Sequence, residues 1–185
     1  MSLLQTSALS VIMFTGASQF ALVGVIGAGG SVWAGVVAAA LLGSRNALYG
    51  LRLSSLLDVH SWRRVLAAQF VIDETTAMAI ARDDRRESRF AFWATGLALF
   101  ALWNLGTLTG ALATHAISNP KVFGLDAAPP AAFLALLAPR LRAREPLAIA
   151  IAAAVVAIAV LPVVPAGVPL LIIAVLVAAY GLFTR

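Results

Sequence analysis

Two acids and one arginine stand where the surrounding chain is apolar. Asp73 and Glu74 lie in "FVIDETTAMA", at the centre of the otherwise apolar stretch Val65–Ala81. A carboxylate at membrane depth is costly unless it is paired, protonated or wetted, so these acids are candidates to carry a proton or meet a cation. Asp73 also has the chemistry to cap a half-helix beginning at Glu74, because its oxygens accept from free backbone N–H groups. The structural alternative is an interfacial amphipathic segment whose acids face water. Arg45-Asn46 falls midway through "LLGSRNALYGLRL", between Gly43 and Gly50. Glycines on both sides of a charged residue predict a break in the helix, with the guanidinium held by a partner. An acid of the 73–74 pair would make an ion pair with it, and a substrate carboxylate would take a two-pronged contact. A third reading has the side chain reach along the helix to the interface.

Three further polar residues share a spacing. Thr15, Ser18 and Gln19 fall at i, i+3 and i+4 and so point one way, with Gly16 beside them to admit a neighbour. They form either a polar seam between helices or the wall of a cavity that hydrogen-bonds a small polar ligand. Asn104, Thr107 and Thr114 share another face, with Gly106 and Gly110 as a small-xxx-small pair next to it. Helix packing accounts for the glycines, while Asn104 suits an interhelical hydrogen bond or a ligand contact. His60 and His115 are far apart and lack ligand spacing, so no metal site is expected. The chain has no cysteine, which excludes disulfides and thiolate chemistry. It also has no phosphate-binding loop and no nucleophile elbow. An intramembrane enzyme using Asp73 and Glu74 as acid and base would lack a nucleophile, so neither an enzyme nor a cofactor is expected.

The elements that must position these residues are set by composition. Of 185 residues 62% are hydrophobic and 11% charged, and the mean hydropathy is +0.97. A soluble domain of this length has no core large enough to hide so much apolar surface. Charge-free runs cover 1–44, 90–120 and 146–184, each longer than the roughly 20 residues a spanning helix needs. The expected class is an all-α, polytopic transmembrane bundle forming one membrane-embedded domain over residues 1–185. No alternating strands of a transmembrane barrel are visible. The formal charge is +5, but the basic residues sit at the ends of apolar runs. There they orient helices, so nucleic acid is not the expected partner.

Segment one is expected from about Leu3 to Ile26, ending at Gly27-Ala28-Gly29-Gly30, and segment two from Ser31 to Leu57. Val65–Ala81 follows a basic loop, and the charged loop Arg82–Arg89 precedes a long span from Phe90 to about Ala116. A polar turn at Asn119-Pro120-Lys121 follows, then a short piece from Pro129-Pro130 to Pro139. Two last spans, Pro146–Leu161 and Pro169–Phe183, flank the turn Pro162–Gly167. If Val65–Ala81 enters and leaves on one side, the loops with Arg63-Arg64, Arg82–Arg89 and Arg140–Arg144 all face the cytoplasm together with Arg185. That gives six crossings, one re-entrant or broken segment, and both termini inside. Trp33, Trp62 and Trp93 suit interfacial anchoring, and Trp103 an internal position.

The ordered blocks "FTGASQFA", "LLGSRNALYGLRLS", "FVIDETTAMA", "WNLGTLTGAL" and "FGLDAAPPAAFLALLAPRL" resemble those of the AzlC family, the large subunits of branched-chain amino acid exporters. The resemblance covers most of residues 10–140, and the last two spans match in character only. It implies a secondary transporter of the bacterial inner membrane that exports valine, leucine, isoleucine or their analogues. It also implies a small hydrophobic AzlD-like second subunit and coupling to protons. On that reading Gln19, Ser18 and Asn46 bind the substrate's polar ends and Arg45 attracts its carboxylate. Asp73 or Glu74 then carries a proton or meets its ammonium, and Thr15 and Asn104 complete the site. Family members usually have a further hydrophobic segment before the "GASQF" helix, and this chain starts almost at that helix. The alternative is therefore a non-transporting scaffold or regulatory subunit derived from such a permease by N-terminal truncation.

Overall fold

A computed structural model describes residues 1–116, 124, 127–165 and 167–183. The expected turn at 119–121 and the terminal Arg185 lie outside the described residues. Among the described residues the fold is all-α, with no strand. The helices are α1 (Leu3–Ile12), α2 (Gly16–Gly27), α3 (Val32–Leu57), α4 (Trp62–Gln69), α5 (Asp73–Ile80), α6 (Arg85–Ala116), α7 (Ala128–Leu137), α8 (Arg144–Val160) and α9 (Val168–Phe183). A 3-10 turn, Arg140–Arg142, precedes α8.

Helix ends follow local chemistry. Ser2 and Gln5 form a reciprocal capping box on α1, with the Ser2 hydroxyl accepting the Gln5 N–H and the Gln5 amide oxygen accepting the Ser2 N–H. The expected stop of α2 is present. Gly29 takes φ +80°, and the N–H groups of Gly30 and Gly29 return to the carbonyls of Val25 and Ile26. This wrapped ending needs a residue without a Cβ. Asp84 caps α6, accepting from the N–H groups of Arg86 and Glu87 at 2.8 and 3.1 Å. Arg89 reaches the end of α3, donating to the Leu56 carbonyl and to Asp58.

Several expectations change. Segment one is not continuous: it breaks at Met13–Thr15 into α1 and α2. Segment two does not break, because α3 runs unbroken from Val32 to Leu57 through Gly43 and Gly50. A mid-helix glycine costs only about 1 kcal/mol, and Gly43 is used for closeness: a Cβ there would lie 3.2 Å from the Ser18 hydroxyl. Val65–Ala81 is broken, into α4 and α5 of eight residues each. At 1.5 Å per residue each is about 12 Å long, well short of a bilayer. Asp73 is the first residue of α5 rather than its cap. Among the described residues one helix, α6, is both long and apolar enough to cross a membrane. Trp33 and Trp62 are exposed. Trp93 instead packs edge-on against Phe70 and Phe92, because it faces the helix break rather than a segment end.

The chain divides into two compact units, Met1–Gln19 with Gly43–Ser118, and Phe20–Leu42 with Asn119–Arg185. In the first, α1 and α5 pack along α6 over a core of Phe14, Leu53, Leu57, Phe70, Ile72 and Phe92 with their neighbours. Its centre joins two chain breaks. Phe14, in the α1–α2 break, meets Phe70, in the α4–α5 break, with ring centroids 5.9 Å apart, and both meet Phe100 of α6 at 5.1 and 5.6 Å. These edge-to-face rings suit aromatic quadrupoles. Gly96 makes room for Phe70, since a Cβ there would lie 3.0 Å from its ring.

Gln69 joins the same breaks through hydrogen bonds. Its amide donates to the carbonyls of Val11 and Ile12 at 2.8 and 3.1 Å, at the end of α1. Those carbonyls lose their helical partners where α1 stops, and Gln69 replaces them. Gln69→Leu is therefore expected to lower unfolding free energy by about 1–2 kcal/mol, read as an earlier thermal transition in detergent, with Gln69→Glu no substitute because a carboxylate cannot donate.

In the second unit Ala21, Leu22 and Val25 of α2 are buried, as are Ala38 and Ala39 of α3. Gly167 (φ +93°) lies against Val25 and Ala34, and α8 packs on α9.

Candidate functional site

The site is built at the start of α5. Where α4 stops, Phe70–Ile72 leave the helix, and Thr75 holds the turn. Its buried hydroxyl accepts the Ile72 N–H at 3.1 Å and donates to the carbonyls of Phe70 (2.6 Å) and Ile72 (3.1 Å). This fixes α5 so that Asp73 and Glu74 occupy its first turn. Acids there are favoured by the partial positive charge of a helix N-terminus, and no side chain at Ile72 caps the free N–H groups. The sequence thus places a negative charge where the backbone itself stabilises it.

Arg45 of α3 supplies the opposite charge. Its Nη2 meets Asp73 Oδ2 at 2.5 Å, with the two side chains 36% and 38% exposed. This is the acid partner foreseen for Arg45, and Asp73 rather than Glu74 provides it; Glu74 is exposed. The contact uses one prong of the guanidinium. Arg45 Nε is buried and has no hydrogen-bond partner among the described residues.

Three other buried polar atoms lack partners in the same way: Ser18 Oγ, Asn46 Oδ1 and Thr76 Oγ1. Ser18 is 2% exposed and Thr76 5%. Their residues lie on the helices that carry the ion pair or abut them. Ser18 abuts Gly43, Asn46 lies one turn beyond Gly43 and next to Arg45, and Thr76 lies one turn beyond Asp73 on the same face of α5. An unsatisfied buried polar atom costs about 1–3 kcal/mol, and such atoms in one neighbourhood mark a place suited to a polar ligand. A cavity of about 580 Å³ runs from Asn46 along Gly50, Ser54 and Val71 to Asp58, His60 and Arg64; of the residues just named it is lined by Asn46 and not by Ser18, Arg45, Asp73 or Thr76.

The other expected site residues separate. Gln19 is buried and accepts the Trp103 indole N–H at 2.7 Å, so its oxygen serves packing. Gly16 admits the same indole, with a Cβ position 3.1 Å from its edge. Thr15 is half-buried in the α1–α2 break, where its carbonyl accepts the Gln19 N–H. Asn104 donates to the Phe100 carbonyl of its own helix at 2.8 Å, and Thr114 likewise bonds within α6. Thr107 accepts from the buried Ser10 hydroxyl. Gly106 and Gly110 have no atom of the described residues within 4 Å of a Cβ position. Gln69, Thr75 and Thr76 were missed by sequence reasoning. Thr75 takes the third-position role that Glu or Gln fills in a capping box, accepting the Ile72 N–H, but apolar Ile72 at the N-cap position hides that signal in the sequence.

The model of the AzlC protein family matches residues 1–117, more than half of the chain and the whole stretch that carries the broken helices. The chain belongs to the AzlC family. That bears out the resemblance for the four blocks within residues 1–117; the fifth, from Phe123, lies beyond the match. One relative, the inner membrane protein YgaZ of Escherichia coli (strain K12), is 32% identical over 107 residues, covering 55% of this chain and 44% of the relative. The chain thus matches less than half of that relative's length. No solved structure matches it. Within this AzlC chain the matched region holds Ser18, Arg45, Asn46, Asp73 and Thr76 together.

Proposed function

We propose that the chain is the permease subunit of a secondary transporter that exports small neutral, mainly branched-chain amino acids. The observation that carries the reading is the Arg45–Asp73 pair at a helix break, beside buried polar atoms without partners. Secondary transporters bind substrate near the bilayer midplane on discontinuous helices, whose free N–H groups face the anionic end of the substrate. Here α1–α2 and α4–α5 are the discontinuous pairs, and the joined breaks are the hinge about which they rearrange.

In this reading Ser18, Arg45 and Asn46 contact the substrate, Asp73 meets its ammonium, and Glu74, toward solvent, carries the coupling proton. Thr15, Gln19 and Asn104 shape the wall through the backbone, Trp103 and Phe100. The protein resides in a bacterial inner membrane with six crossings, the α4–α5 pair re-entrant and both termini cytoplasmic. A small hydrophobic AzlD-like subunit completes the transporter.

Expression of the chain with such a subunit, followed by leucine or valine efflux after dipeptide loading, tests the proposal. Efflux above that of cells lacking the chain is the expected result. Wild-type rates from both Arg45→Ala and Asp73→Asn would remove the site assignment. Absence of efflux with the subunit present would favour the non-transporting scaffold.

A further inference from the structure

Resting on the amino acid reading above, we infer that Asp73 is an internal stand-in for the substrate carboxylate, so that binding exchanges one ion pair for two. A guanidinium presents Nε–H and Nη2–H side by side, in a fork that matches both oxygens of one carboxylate. Asp73 occupies only the Nη2 prong, and Nε stays buried and unpaired. Asp73 is fixed at the start of α5 by the Thr75 turn, so it meets Arg45 from one side. A free α-carboxylate has no such tether and takes both prongs.

The displaced Asp73 carboxylate is then available to the substrate ammonium. An ammonium has three N–H donors. Thr76 Oγ1 stands one turn from Asp73 on the same face of α5 and is a buried acceptor without a partner among the described residues. The two Asp73 oxygens and Thr76 Oγ1 give the ammonium three acceptors, and the exchange gives partners to Arg45 Nε and Thr76 Oγ1 in the same step. Charge makes the site selective. Arg45 and Asp73 sum to zero, and a zwitterion leaves that sum unchanged, whereas a carboxylate-only or amine-only ligand leaves one charge without a partner. The ligand class is thus α-amino acids with a free carboxylate, a free ammonium and an uncharged side chain.

The test uses the purified full chain in detergent with L-leucine, L-leucinamide and 4-methylpentanoate, binding being read by calorimetry. Leucine is expected to bind at least about tenfold more tightly than either analogue. Asp73→Asn removes the internal competitor and the ammonium's partner together, so the ratio of leucine to 4-methylpentanoate affinity falls by about tenfold or more. Thr76→Val weakens leucine and leaves 4-methylpentanoate unchanged. A purely structural ion pair would shift all three ligands alike, and that result overturns the inference. Should Asp73→Asn fail to fold, the unmodified chain with the three probes and Thr76→Val decide it. Equal binding of leucine and both analogues, with leucine still exported by cells, sinks the exchange and spares the transporter. Binding of no probe together with no export removes both.

Discussion

Arg45→Gln is expected to reduce leucine efflux by at least about a hundredfold while leaving a folded protein. The substitution removes the guanidinium that faces Asp73 and the buried Nε–H that no other described residue uses. The substitution also leaves Asp73 without its cation in an apolar segment, which costs several kcal/mol. The thermal transition should therefore fall by several degrees while remaining cooperative. Activity is another matter, because no other cation takes part in this contact. Arg45→Lys keeps the charge but loses the planar fork, and it should recover only a small part of the rate. A paired substitution separates the roles. Arg45→Gln with Asp73→Asn leaves no unpaired charge and should restore the lost stability, yet transport should stay at the single-variant level. Vesicle efflux and thermal unfolding measure the two quantities on the same preparations. A paired variant that transports at the wild-type rate would show that the ion pair serves the fold alone.

The ion pair was legible in the sequence because charge in an apolar run has few solutions. Arg45 and the acids of "DETT" were the charged residues most deeply set within apolar segments, and pairing is the cheapest way to keep them there. The breaks were less legible. Gly43 and Gly50 suggested a break in α3, but glycine permits a helix to continue at small cost, and Gly43 instead lets Ser18 approach. The break in segment one falls at Met13–Thr15, with no proline and no glycine inside it. It is set by tertiary partners: Gln69 takes the carbonyls of Val11 and Ile12, and Phe14 finds Phe70 and Phe100. A partner 57 or 58 residues away leaves no local mark. The polar face Thr15-Ser18-Gln19 was read as one unit, yet its members diverge. Gln19 is engaged by Trp103, and Ser18 is left buried without a partner. Spacing places side chains on a face, but only the neighbours decide which of them remain free.

Thr75→Val should cost about 2 kcal/mol of unfolding free energy and lower efflux by about tenfold or more, although the side chain keeps its shape. Thr75 is fully buried, and its hydroxyl alone accepts the Ile72 N–H while donating to the carbonyls of Phe70 and Ile72. Valine fills the space and leaves the Ile72 N–H and the Phe70 carbonyl without that partner away from water, where the cost is greatest, while the Ile72 carbonyl keeps the Thr76 N–H. The chain then has a cheaper alternative: α4 continues through Phe70–Ile72, so that each backbone group finds a helical partner. Three residues added to a helix advance it by about 300°, from 3.6 residues per turn, so Asp73 would no longer face Arg45. Loss of stability and loss of transport thus have one origin. Thr75→Ser retains the hydroxyl and should recover most of both, losing only the contacts of one methyl group, about 1 kcal/mol. Denaturant unfolding in detergent and efflux from vesicles measure the pair of effects. A serine variant no better than valine would mean that the methyl group, and not the hydroxyl, holds the break. In that case the position of Asp73 would depend on packing against α6, where Phe92 and Phe100 become the residues to alter.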